Sequence, residues 1–207
     1  MSNPQLQMVH ETLGDENSLP PLPAVPGFTL RTFQPGDEEG WCACFAQWTR
    51  PGRTYAESGW TPEKLHGEDG WFSLNRDGRI ETPGNLFLVV CDADQSICTT
   101  ACCWTTNSHP AGMGELGWVA STDRHRGKGL GNLVTLAVLH RLKQLGKSRA
   151  RLNTDDWRVP AIKAYLTMGF TPSLEIHDSM PARWEAIHKL IGSGAKAPNI
   201  APPPAKL

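Results

Sequence analysis

Apolar and polar positions along the chain follow two rhythms, and the switches between them predict the elements. Phe28-Thr29-Leu30-Arg31-Thr32-Phe33 repeats with period two, the pattern of a half-buried strand. Pro35-Gly36-Asp37 breaks that run, and Asp37 can cap a helix whose Trp41, Cys42, Phe45 and Trp48 recur at helical spacing. Residues 50–84 read as loop, with a short helix opened by Thr61-Pro62-Glu63. Leu86 to Cys91 and Ser96 to Thr105 read as strands joined into a hairpin by Asp92-Ala93-Asp94-Gln95. Glu115 to Ser121 is a further strand.

A long helix follows over about 128–145, where Leu130, Val134, Val138, Leu142 and Leu145 form one stripe. Gly146 stands where a left-handed residue ends a helix. Arg149 to Asn153 is a short strand, and Pro160 suits the first turn of a helix that Gly169 ends. Phe170 opens another strand, and a last helix runs from Pro181 to Ile191. Strands that meander first and then alternate with helices predict a mixed central sheet flanked by helices, an α/β (α+β) class. Residues 1–27, with Pro20, Pro21, Pro23 and Pro26, read as an extended segment across the surface. Residues 28–191 read as one domain, and 192–207 as a flexible tail.

Composition narrows the functional classes. Of 207 residues, 39% are hydrophobic and 20% charged, enough for one ordinary core. The net charge of −1 gives no general field for holding nucleic acid or an anionic membrane, so any anion site must be local. No apolar run approaches the ~20 residues of a bilayer span, and the polar N-terminus lacks a secretory pattern. A cytosolic protein is expected. Six cysteines (Cys42, Cys44, Cys91, Cys98, Cys102, Cys103) lack the spacing of a zinc site and read as small buried groups in a reducing compartment. No metal is expected.

The chemistry concentrates at Trp118-Val119-Ala120-Ser121-Thr122-Asp123-Arg124-His125-Arg126-Gly127-Lys128-Gly129-Leu130-Gly131-Asn132. A strand runs into a glycine-rich basic turn that opens a long amphipathic helix. The glycines allow close backbone approach, the first helical N–H groups have no internal partner, and Arg124, Arg126 and Lys128 add positive charge. Together these make an anion cradle. It fits neither the Walker pattern, since Asn132 and Leu133 follow Gly131, nor the dinucleotide fingerprint, since its glycines are spaced G-x-G-x-G.

Arg124-His125-Arg126-Gly127-Lys128-Gly129 resembles the Q/R-x-x-G-x-G/A signature of the GNAT N-acetyltransferase superfamily. Farther on, Ala161-Ile162-Lys163-Ala164-Tyr165-Leu166-Thr167-Met168-Gly169-Phe170 resembles that superfamily's second signature, a helix ending in A-x-x-x-Y-x-x-x-G-F. The resemblance covers about residues 28–177 and is closest to the mycothiol-synthase-like branch, which assigns no substrate here. It implies splayed strands around an acyl-CoA site, with acetyl-CoA as co-substrate. It puts the pyrophosphate on the backbone of Arg126–Gly131 and Asn132, and the pantetheine arm beside Val119, Ala120 and Ser121. A backbone N–H near Val119 would polarise the thioester carbonyl. Tyr165 would protonate the leaving thiolate; its alternative is a core position in a stripe with Ala161, Ile162 and Met168.

For the base that takes the amine proton, the resemblance offers Glu115, with ordered water or His109 as alternatives, while Asp123 reads as a turn former. Where relatives carry an asparagine touching the pantetheine arm, this chain has Arg158. That residue binds CoA or the acceptor, or pairs with Asp155 or Asp156. Trp48, Trp60 and Trp71 fall in the segment that walls the acceptor pocket in this superfamily; each has an alternative as core. The expected partners are acyl-CoA and a small-molecule or peptide amine, with no nucleic acid and no membrane, and a homodimer left open. The rival to an N-acyltransferase is an acyl-CoA-binding sensor on the same fold that does not turn over.

Overall fold

The computed structural model describes residues 4–47, 59–66, 83–105 and 108–193. Its strands are β1 (Leu6–His10), β2 (Phe28–Thr32), β3 (Leu86–Cys91), β4 (Ile97–Trp104), β5 (Met113–Ser121), β6 (Arg149–Thr154) and β7 (Thr171–Pro172). The helices are α1 (Glu38–Ala46), α2 (Pro62–His66), α3 (Leu130–Gln144), α4 (Val159–Thr167) and α5 (Met180–Ser193). They flank one sheet of order β2-β3-β4-β5-β6-β1-β7. Every neighbouring pair is antiparallel except β5–β6, which is parallel with α3 as its crossover.

The N-terminal residues depart from the sequence expectation. Residues 6–10, expected to lie across the surface, form β1 inside the sheet, antiparallel to both β6 and β7. Leu6, Met8 and His10 are buried while Gln7 and Val9 are half-buried, so the short run does carry a period-two signal. Residues 11–27 then cross α3 to reach β2 at the far edge. Lys143 Nζ donates to the Asp15 carbonyl at 2.5 Å and to Ser18 Oγ at 3.0 Å, and His140 Nε2 lies 2.9 Å from the Pro20 carbonyl. Trp48, Trp71 and residues 194–207 lie outside the described residues.

Two apolar clusters cover the sheet. On one face α3, α4 and α5 pack over Leu6, Met8, Leu116 and Leu152; on the other α1 and α2 bring Trp41, Phe45 and Leu65 against Leu88, Val90 and Trp104. Helix α3 ends as predicted: Gly146 takes φ 73°, its N–H donates to the Lys143 carbonyl, and the Lys147 N–H donates to the Leu142 carbonyl. Asp37 precedes α1 without capping it, because its carboxylate grips Arg31 at 2.5 and 2.7 Å.

Gly117 in β5 is required for packing. A Cβ there would lie 2.3 Å from the Trp104 ring. Gly117→Ala should destabilise by about 1–3 kcal/mol through overpacking, measured as a lower midpoint of thermal unfolding; an unchanged midpoint would mean the indole relaxes freely.

Candidate active site

Strands β5 and β6 pair only through Met113↔Arg149, Gly114↔Ala150 and Glu115↔Arg151, whereas β5 stays paired to β4 up to Thr99↔Ser121. Beyond Glu115 the β6-facing edge of β5 therefore has no strand partner among the described residues. A bulge marks the same stretch: the β4–β5 register shifts between Thr100 and Cys102, and Trp118 takes φ 55°, unusual for a bulky residue. The Thr122 N–H donates to the Cys98 carbonyl of β4. By strand alternation the Val119 and Ser121 N–H groups then point the other way, into the gap. Ala120 between them is buried against the α1 face.

Above the gap lies the turn. Asp123–His125 form a 3-10 turn, as a turn-forming aspartate suggests, and Gly127 and Gly129 both take φ 78°. Gly129 is the N-terminal flanking residue of α3, and the Leu133 N–H closes the first helical turn onto its carbonyl. A Cβ built at Gly127, Gly129 or Gly131 meets nothing within 4 Å, so a phosphate can approach this backbone. Leu130 is buried and Asn132 exposed.

The three cations are less focused than the sequence suggests. Arg124 pairs with Asp94 and donates to Ser96 Oγ at 2.9 Å, back toward the hairpin. Arg126 lies 2.9 Å from Asp123, and Lys128 sits over the Phe28 ring, 5.3 Å from its centroid. Exposed pairs of this kind are screened by water and contribute little, so exchanging them for a phosphate costs little.

Gly114 faces α3, since its Cβ would meet Leu142, and by alternation Glu115 faces the α1 side. Glu115 is 6% exposed. Its Oε2 accepts from Arg151 Nε at 2.9 Å and lies 3.1 Å from His109 Nε2, while Oε1 accepts from Asn153 Nδ2 at 3.1 Å. Burial, and then the Arg151 charge, push His109 below its ordinary value, so it is neutral at pH 7. The sequence reading missed Arg151 and Asn153, although Arg149, Arg151 and Asn153 alternate with buried residues and mark a polar strand face.

On the same side, Phe45 stacks on Trp118 with ring centroids 4.5 Å apart, and Trp60 meets Trp118 edge-on at 5.1 Å. Trp60 is half-buried and packed against the second apolar cluster, as its alternative as core has it. On the α3–α4 side, Tyr165 shares a buried stripe with Val159 and Ile162, edge-on to Phe170 at 6.0 Å. Burial pushes its phenol up to about 12, against a smaller downward pull from Arg158. Arg158 pairs with Asp155 at 3.1 Å and covers the Trp157 ring at 4.5 Å, while Asp156 pairs with Arg183. Among the described residues, no group of three or more His, Cys, Asp or Glu side chains could hold a metal ion.

The gap, turn and polar cluster lie within residues 40–170, the stretch that matches the model of the Acetyltransferase (GNAT) family. Mycothiol acetyltransferase of Thermomonospora curvata is 31% identical over 163 residues, covering 75% of this chain and 48% of that protein. Mycothiol acetyltransferase of Thermobispora bispora is 33% identical over 161 residues, covering 73% and 49%. The chain therefore spans about half the length of these curated relatives. A solved GCN5-related N-acetyltransferase from Sphaerobacter thermophilus has the same fold, with a TM-score of 0.56 at 22% identity over 83% of this chain and 50% of that one.

Proposed function

The chain belongs to the acetyltransferase (GNAT) family, and from that premise we propose that it transfers an acetyl or short acyl group from acyl-CoA to a primary amine by direct attack in a ternary complex. The observation that carries this reading is the parting of β5 from β6 beyond Glu115 and Arg151, with the glycine turn at its mouth. One domain over 28–191, its sheet completed by β1, forms the catalytic unit. The Arg126–Asn132 backbone, with Arg124, Arg126 and Lys128 around it, holds the pyrophosphate. The Val119–Ser121 edge holds the pantetheine arm, and Arg158 lies beside it.

The amine nitrogen attacks the thioester carbon from the α1 side, and the oxygen that gains charge takes a hydrogen bond from the Val119 N–H. Much of the acceleration comes from positioning two substrates across the gap. The amine proton goes to the His109–Glu115 pair. Glu115 already accepts from Arg151 and Asn153 and faces His109, so its oxygens are engaged and the imidazole stands between it and an incoming amine. Neutral His109 takes the proton, and Glu115 steadies the imidazolium that results. As the C–S bond breaks, Tyr165 donates to the sulfur. A phenol near 12 does not fully protonate a thiolate whose conjugate acid ionises at about 8.5, so Tyr165 acts chiefly as a hydrogen-bond donor, helped by Arg158.

Among the described residues no helix is long and apolar enough to cross a membrane, and the described cysteines are all free thiols. Both fit a cytoplasmic enzyme. The test is acetyl-CoA binding by calorimetry, then amine-dependent CoA release over small-molecule amines, peptide amines and, from the relatives' name, compounds of the mycothiol class. Binding without release from any amine would favour the sensor instead.

The same assay tests the base. His109 acts when neutral and its value lies below 6.5, so activity should be lost only as pH falls through that lower value. Glu115 raises His109 by charge and by hydrogen bond. Glu115→Gln should therefore move the acid limb to still lower pH and reduce the plateau rate. An unmoved limb would remove the pair from the reaction.

A further inference from the structure

Helices α1 and α2 cover only part of their side of the sheet. Among the described residues their apolar cluster draws on β3, β4 and β5 and on nothing in β6 or β1. Ala150 and Leu152 of β6, with Leu6 and Met8 of β1, belong to the cluster on the opposite face. By strand alternation Arg149, Arg151 and Asn153, with Gln7 and Val9, face the α1 side. None of these five is buried. An open polar ledge therefore adjoins the point where β5 and β6 part.

Arg151 occupies the inner end of that ledge. It is the last β6 residue paired to β5, opposite Glu115, and its partner on β1 is Val9. Its Nε donates to Glu115 Oε2, the oxygen that also lies 3.1 Å from His109 Nε2. That contact uses one edge of the guanidinium. Among the described residues Nη1 and Nη2 make no hydrogen bond, and the side chain is 28% exposed. Arg149, two residues back, is held differently: it faces Glu11 at 3.7 Å and donates to the Ala111 carbonyl. The charges that act on the His109 ring are Arg151 and Lys147 against Glu115, an excess of positive charge where the acceptor amine arrives.

We infer that the acyl acceptor is an amine carrying its own carboxylate, an amino acid, and that Arg151 binds that carboxylate through Nη1 and Nη2. A planar guanidinium fork matches a carboxylate in two parallel hydrogen bonds. Arg151 and His109 meet the same Glu115 oxygen, so fork and base stand one carboxylate apart, a span suited to the short reach between the amine and the carboxylate of an amino acid. Val9 opposite adds apolar contact and no competing acid. The inference rests on the acyl-transfer reading and narrows it. The nitrogen bonds to the acyl carbon as the C–S bond breaks and gives its proton to His109. The products are an N-acyl amino acid and CoA.

CoA release from acetyl-CoA by the full chain tests this with matched acceptors: glycine, leucine and phenylalanine, each against its carboxamide, and O-phosphorylethanolamine against ethanolamine. The best amino acid should exceed its carboxamide at least about tenfold in kcat/KM, chiefly through KM. Taking the ratio cancels general damage to the base. Arg151→Gln should bring the ratio to about one, whereas Arg149→Gln, which removes a charge but no open fork, should keep most of it. Val9→Glu sets a carboxylate directly across the strand pair from Arg151 and should also abolish the ratio, with the carboxamide rate unchanged. That variant decides if Arg151→Gln fails to fold. Equal use of acids and carboxamides, or a ratio unmoved by Val9→Glu, overturns the carboxylate site and leaves the acyl-transfer reading standing. An equal fall in Arg149→Gln assigns the effect to overall charge and overturns the fork. Phosphorylethanolamine preferred to every amino acid overturns the carboxylate in favour of a phosphate. Release with no amine at all overturns both readings.

Discussion

Tyr165→Phe should lower turnover by about two to three orders of magnitude, the range for loss of one preorganised hydrogen-bond donor to developing negative charge, while affinity for acetyl-CoA stays the same. The two quantities separate because the ring and the hydroxyl do different work. The ring belongs to the core, against Phe170 and in line with Ile162, and phenylalanine keeps that packing. The hydroxyl matters when negative charge gathers on the departing sulfur. A group held near 12 remains protonated throughout the working pH range, so the wild-type rate has no alkaline limb from Tyr165 below that value. The measurement is kcat and KM for acetyl-CoA at saturating amine, with binding followed independently. Equal kcat in the two proteins would leave Tyr165 a core residue and nothing more.

How much of this was legible in the sequence depends on how local each signal is. The turn at Arg124–Gly131 and the helix ending at Gly169-Phe170 are contiguous patterns whose geometry follows from their own residues, and both form where the sequence predicts. The hairpin at Asp92–Gln95 and the glycine stop at Gly146 are equally local. The candidate base is not. Glu115, His109, Arg151 and Asn153 come from three stretches of chain, and only the β5–β6 register brings them together. The sequence reading could name Glu115 and His109 as alternatives; it could not see that they touch. Strand β1 was hidden for another reason. Its five residues precede a proline-rich stretch that reads as surface chain, and its partners lie about 140 and 160 positions away in β6 and β7. The bulge at Trp118 left no sequence signal, because a positive φ at tryptophan is imposed by the register shift and not by the residue.

Gly129→Glu separates binding from folding more sharply, because its effects partly offset one another in the fold and add together in binding. At φ 78° any residue but glycine carries a left-handed penalty of about 1–2 kcal/mol. Against it, a carboxylate at the start of α3 is favourable to the helix dipole, typically by about 0.3–1 kcal/mol. No atom lies within 4 Å of the new Cβ, so nothing in the protein must move. The fold should therefore survive with a small loss of stability. For acyl-CoA both effects are adverse: the side chain fills the space through which the pyrophosphate approaches, and its charge repels what remains. Affinity should fall at least about 100-fold, near 2.7 kcal/mol. Gly129→Ala isolates the strain and should lose much less. Added salt should recover part of the loss in the glutamate variant and none in the alanine variant, since only the former contains a screened repulsion. An unchanged dissociation constant in Gly129→Glu would mean that the phosphates do not bind on this turn, and the assignment of the β5–β6 gap to the pantetheine arm would fall with it.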